Sequence, residues 1–357
     1  MQFRVGKVYH AYHVQYLVLK LYAAFGNLAC GNGLCEQQTP HPHCTPHQEK
    51  TDSDPAENRL FGELTDHKFS NVITRFGSQT RMYGSSMNNR IVYRKDDLNV
   101  EDLVAPMYAT HKSAVNQTYA WRMDNLRILR KVLTEHAAEW QEALLQDLGK
   151  QMVESSFTEI KLNLSEIDYF LRNLKSLMKP TQASSMGYNL PCFSQVQNVP
   201  LRPPAVLVIG PSNYPLQLTI AVAAGALAGG NPVVIKPSEL TPAVSELMAK
   251  LCSKYFSKGT LQVVQGGREV VTPLLQHEWA KIAFTGSERV GKIVAEAASK
   301  TLTPVLLELG GKSPAYIDEH APANIKLVAQ RIIWGKTLNS GQTVSCKCTI
   351  LAVLPPF

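Results

Sequence analysis

The 357-residue chain has no apolar run approaching the roughly 20 uncharged residues that a spanning helix needs, which excludes a polytopic membrane protein. It also lacks a disulfide framework. Its seven cysteines (Cys30, Cys35, Cys44, Cys192, Cys252, Cys346 and Cys348) are odd in number and scattered, which points to a reducing compartment rather than secretion. Residues 16–25 outline the core of a signal peptide behind Arg4 and Lys7, but Lys20 interrupts it. With no membrane segment, the expected location is cytoplasmic. Neither sign of charge dominates: 36 Lys and Arg against 29 Asp and Glu leave +7, a mild excess that suits an anionic cofactor. No clustered basic stripe or recognisable module is present, so a nucleic-acid partner is not expected. Internal repeats are absent too.

What is there is a globular composition, 45% hydrophobic and 18% charged, in a chain long enough for two domains. Residues 1–111 show little sustained periodicity and read as a mostly disordered region. The tract 37–59 is polar and rich in Pro and His, too poor in apolar groups to offset the entropy of ordering. His41, His43, Cys44 and His47 lie within it, but their spacing matches no zinc finger, and no metal is expected.

From residue 117 the pattern tightens. Leu126, Leu129, Leu133, Trp140, Leu144 and Leu148 recur at helical steps and Gly149 follows as a stop, which predicts one amphipathic helix. A second is predicted from Val153 through Phe157, Ile160, Leu164, Ile167, Leu171 and Leu174 to Met178, ended by Pro180. Beyond 200, short β-rich runs at 205–209, 232–236, 261–264, 281–285 and 304–309 alternate with helical stretches at 216–229, 242–256, 269–276 and 288–299. That rhythm predicts an α/β fold, a mostly parallel Rossmann-like sheet flanked by helices, with ligands bound at the carboxyl ends of the strands.

Residues with chemical potential cluster at those ends. After the first strand stands Gly210-Pro-Ser-Asn213-Tyr-Pro215, whose carboxamide suits an oxyanion, although Asn is also ordinary in a turn. After the second comes Lys236-Pro-Ser238-Glu239, a cation and a carboxylate able to hydrogen-bond the two hydroxyls of an adenosine ribose, or to form a plain surface ion pair. The stretch Phe284-Thr-Gly286-Ser287 leads into a helix whose free N–H groups suit a pyrophosphate. Gly286, Gly291 and Lys292 also fit the G-x-x-x-x-G-K of a triphosphatase, but Ile293 offers no hydroxyl for magnesium. Glu308 lies among leucines before Gly310-Gly311, where an apolar surround suits a general base, although pairing with a lysine is an equal reading.

In this order, PSNYP, KPSE, FTGS-x-x-VGK, LELGGKSP and Asn339-Ser-Gly-Gln-Thr343 resemble the aldehyde dehydrogenase superfamily, in particular its class 3 branch of fatty and aromatic aldehyde dehydrogenases, over about 112–343. The resemblance implies NAD- or NADP-dependent oxidation of an aldehyde to a carboxylic acid through a thiohemiacetal and a thioester on a cysteine. Asn213 would form part of the oxyanion hole, and Lys236, Ser238 and Glu239 would hold the adenosine ribose. Gly286 and Ser287 would cradle the pyrophosphate, and Glu308 would activate the cysteine or the hydrolytic water. It further implies an aldehyde substrate and a homodimer. The domains would be a cofactor-binding unit at 112–309 and the truncated opening of a catalytic domain at 310–357.

One departure bears on activity. The family's nucleophilic cysteine follows the N-S-G-Q-T stretch directly, and here that position is Val344, which has no ionisable group. Cys346 and Cys348 share its face in an extended segment, but each two-residue step moves the sulfur about 6–7 Å. The sequence thus predicts an inactive chain, a nucleotide-binding pseudoenzyme or a gene-model fragment. The codons of Val344-Ser345 can spell a 5′ splice donor, so the expectation is that family likeness ends at 343, in a retained intron.

Overall fold

A computed structural model describes residues 27–28, 98–184, 193–317, 325–344 and 350–352. The His-rich tract, the signal-like segment, Cys346 and Cys348 lie outside the described residues.

A two-residue strand β1 (Asn27–Leu28) pairs antiparallel with β4. The leading helices are α1 (Val100–Lys112), α2 (Tyr119–Glu135), α3 (Ala137–Leu148), the short α4 (Met152–Ser155), a π-helical turn over Ser156–Lys161, and α5 (Leu162–Leu177). Three short strands follow, β2 (Thr181–Ala183), β3 (Ser194–Val196) and β4 (Asn198–Val199). The α/β core then runs β5 (Val206–Ile209), α6 (Gln217–Ala228), β6 (Val233–Lys236), α7 (Pro242–Tyr255), β7 (Leu261–Val263), α8 (Arg268–Gln276), β8 (Lys281–Gly286), α9 (Glu288–Ser299) and β9 (Val305–Leu309). Beyond it come β10 (Ala315–Ile317), α10 (Ile325–Thr337), a 3₁₀ turn over Leu338–Gly341, and β11 (Ile350–Ala352).

The five core strands form one parallel sheet in the order β7-β6-β5-β8-β9. The chain winds outward from β5 in one direction and then crosses back to β8, so β5 and β8 flank the switch point where such sheets bind ligands. Every residue of β5 and β6 is buried, as a sheet covered on both faces requires. Val206, Val208, Val233 and Ile235 pack with α2, α3, α5, α6 and α7. Leu207, Ile209 and Val234 face the other way, onto α1, α8, Trp279 and α9.

The structure corrects the sequence reading at four places. Order begins earlier than residue 112: Asn99 caps α1 by accepting from Glu101 N and Asp102 N, and Val100, Leu103, Val104 and Met107 are buried against the sheet. The helix expected through Leu148 is two, broken at His136, whose ring is tied to Glu139 and to Tyr255 Oη at 3.0 Å. In the next helix, Val153 and Phe157 are exposed rather than core. The π turn adds a residue to one turn of backbone, so the stripe before it does not continue the stripe after it. Finally, β11 pairs in parallel with β10, Ala315 against Ile350, so fold elements continue past residue 343.

Candidate active site

At the carboxyl end of β5, the 210–216 loop is held from below by the leading helices. Lys150 and Glu159 form an ion pair with almost no exposed surface. Lys150 Nζ also donates to Asn213 O (3.0 Å) and lies 4.2 Å from the centroid of the Tyr214 ring. Glu159 Oε2 accepts from Leu216 N (3.2 Å) and Gln217 N (2.7 Å), capping α6 with a carboxylate from another element. Burial pushes the Glu159 carboxyl above the ordinary range, against the pull of Lys150 and these N–H donors. Asp147 caps α7 in the same manner, accepting from Ala243 N and Val244 N.

The Asn213 carboxamide points away from this support. Its Nδ2 donates to Gln342 O at 2.8 Å, while Asn339 Nδ2 donates to Asn213 O at 2.8 Å. Tyr214 Oη and Thr343 Oγ1 are 2.6 Å apart, and Asn339 N donates to Glu154 Oε1. Asn339, Ser340 and Gly341 hold left-handed backbone, which turns the chain so that residue 344 follows directly beside Asn213. Val344 is half-exposed, and its carbonyl accepts from Ser313 Oγ at 3.0 Å. Thus the structure brings together Asn213, the Asn339–Thr343 turn, Val344 and the strand-end loop that follows Glu308. Glu308 itself is half-buried on β9, paired in register with Thr285, and lines a largely apolar pocket with Val208, Val222 and Phe284.

On the other side of β5, the buried Lys236 at the end of β6 donates to Glu239 Oε2 (2.7 Å) and to Gly266 O (3.2 Å). Burial would raise the Glu239 carboxyl, but the hydrogen bond from Lys236, with its own N–H and the Lys236 charge, brings it below the usual range. Half of the Glu239 side chain faces solvent. Ser238 is buried, its Oγ accepting from Leu240 N. Gly286 ends β8 and Ser287 caps α9, its Oγ accepting from Val290 N at 3.4 Å. Gly291 lets α9 lie against β9: a Cβ there would sit 2.7 Å from Leu309 Cδ2. The exposed Ile293 offers nothing to a metal, and no cluster of three metal-ligating side chains occurs among the described residues.

These groups fit a dinucleotide. Lys236 has three N–H donors and two protein acceptors, Glu239 offers a half-exposed acceptor, and the N–H groups of the first turn of α9 face outward as at any helix start. Sequence reasoning missed Lys150, Glu159, Glu154 and Tyr214, whose partners lie far along the chain.

Fold and site together define a nucleotide-binding α/β protein with a polar cleft at the sheet's switch point. The sequence profile of the aldehyde dehydrogenase family matches residues 90–353, and the chain belongs to that family. The match is wider at both ends than the motifs suggested. Aldehyde dehydrogenase family 3 member I1, chloroplastic, of Arabidopsis thaliana is 40% identical over 67% of this chain and 43% of its own length. The substrate-bound structure of Staphylococcus aureus AldH superposes with a TM-score of 0.66 at 36% identity, over 71% of this chain and 55% of that one. PnpE in complex with nicotinamide adenine dinucleotide superposes with a TM-score of 0.62 at 26% identity, over 75% of this chain and 54% of that one. The chain therefore spans about half the length of the relatives it matches.

Proposed function

We propose that the chain carries the nicotinamide-dinucleotide site of a class 3 aldehyde dehydrogenase, at 112–309, and the opening of its catalytic domain, at 310–357. With Val344 at the nucleophile's place, it binds cofactor without oxidising aldehyde. The observation that carries this reading is the buried Lys236 held to Glu239 at 2.7 Å on the same sheet edge as the Ser287-capped start of α9.

In this reading Lys236 and Glu239 take the adenosine ribose hydroxyls, and Ser238 fixes the turn between them. Gly286 and Ser287 admit the pyrophosphate to the helix start. NAD or NADP, when bound, supplies the hydride acceptor. Family chemistry adds a thiolate to the aldehyde carbonyl, and the resulting oxyanion would be met by the second Nδ2 proton of Asn213, the first being held by Gln342 O. Glu308 would take the proton of the thiol or of the hydrolytic water. Without a thiol at 344 the first bond does not form, so Asn213 and Glu308 have no reaction to serve.

Titration of the purified chain with NAD⁺ tests this. Saturable binding is expected, and Lys236→Met should weaken it about 10- to 30-fold, the loss of a charged hydrogen bond to the ribose. Absence of binding, or binding indifferent to Lys236, would remove the reading.

A further inference from the structure

Lys236 is ringed by two carboxylates, and only Glu239 belongs to the motif that suggested a ribose site. The second is Glu269, in the first turn of α8. Its Oε1 accepts from Gly267 N at 2.7 Å. It also lies so close to the two glycines that a Cβ on Gly266 would stand 3.2 Å from Oε1, and one on Gly267 3.0 Å from Oε2. Gly266 is the residue whose carbonyl holds Lys236, and its φ of +138° turns the loop back toward that lysine. Glu269 thus sits over the loop that closes the Lys236 pocket, within electrostatic reach of both Lys236 and Glu239. The N–H donors of Glu269 itself and of Gly267 keep its carboxyl below the usual range, so both carboxylates are ionised at neutral pH. The lysine's single positive charge faces two negative ones. Arg268, the neighbouring cation, is exposed on the same turn.

We propose that Glu269 is a specificity-determining residue which, together with Glu239, sets this chain to take NAD⁺ and to reject the 2′-phosphate of NADP⁺. The inference rests on the ribose site proposed above. A 2′-phosphate brings roughly −1.5 to −2 charges to that edge near neutral pH. NAD⁺ presents a neutral hydroxyl there, which Glu239 accepts as a hydrogen bond and Glu269 does not oppose. The Glu269 contribution acts through solvent, so it is modest and falls as salt screens it.

The test is calorimetric titration of the full chain with NAD⁺ and with NADP⁺, at low salt and again near 0.5 M salt, a concentration that shortens the screening length to roughly 4 Å. Wild-type chain is expected to prefer NAD⁺. Glu269→Gln keeps an acceptor for Gly267 N and should tighten NADP⁺ about 5-fold, with NAD⁺ unchanged within about 2-fold. Glu269→Lys should tighten NADP⁺ about 25-fold, and both gains should shrink in high salt. A wild-type preference for NADP⁺, or an NADP⁺-to-NAD⁺ ratio unmoved by both substitutions, overturns the proposal while leaving the ribose site standing. Binding of neither nucleotide to the wild-type chain overturns both.

Discussion

Replacing Lys150 by methionine is expected to destabilise the chain by about 3–5 kcal/mol, because it leaves the Glu159 carboxylate buried without its counterion. The pair has almost no exposed surface, so no water replaces the ammonium. The substitution also removes the donor to Asn213 O and the cation over the Tyr214 ring, so the 210–216 loop should loosen with the helices beneath it. Urea unfolding with hydrogen exchange along the loop measures both effects. Lys150→Met combined with Glu159→Gln should recover part of the loss, since the neutral amide removes the orphaned charge. If the single variant loses less than about 1 kcal/mol, the pair is not what supports the loop.

Glu166 makes the second large prediction, and it is one of pH. Burial within α5 pushes its carboxyl up to about 7, and Oε2 has no hydrogen-bond partner. A folded-state value above the unfolded 4.5 means the folded chain holds a proton that the unfolded chain releases. The associated stability is complete below the unfolded value and is lost as pH rises from about 4.5 to about 7. The shift corresponds to about 3 kcal/mol. Glu166→Gln should therefore be more stable than wild type at pH 8 by up to that amount, and should flatten the pH dependence across this window. Equal slopes in the two proteins would show that Glu166 is solvated.

Most of the α/β core was legible because short buried strands and 3.6-residue stripes alternate from 205 to 309. The observed elements there fall within about two residues of those read from the pattern. Helix α1 also carried a signal, Asn99 as cap before Val100, Leu103, Val104 and Met107, but Pro106 interrupts the stripe and the polar tract before it hid the start. The π turn was not legible, because it is imposed by partners in space. Glu159 serves Lys150 on one side and the N-terminus of α6 on the other, and a bulge lets it reach both. Of the site, the groups next to glycines and strand ends could be read, including Lys236, Glu239 and Ser287. Their supporting shell could not, since Asn339 meets Asn213 across 126 positions and Lys150 meets it across 63.

The central claim is that cofactor binding persists here while the attacking group is missing. Its most direct test incubates the purified chain with NAD⁺ and a medium-chain aldehyde, and follows NAD⁺ binding and NADH formation in the same sample. Saturable binding with no aldehyde-dependent NADH is the predicted result. NADH formed in proportion to aldehyde would contradict it, and would mean that a group other than residue 344 attacks the carbonyl.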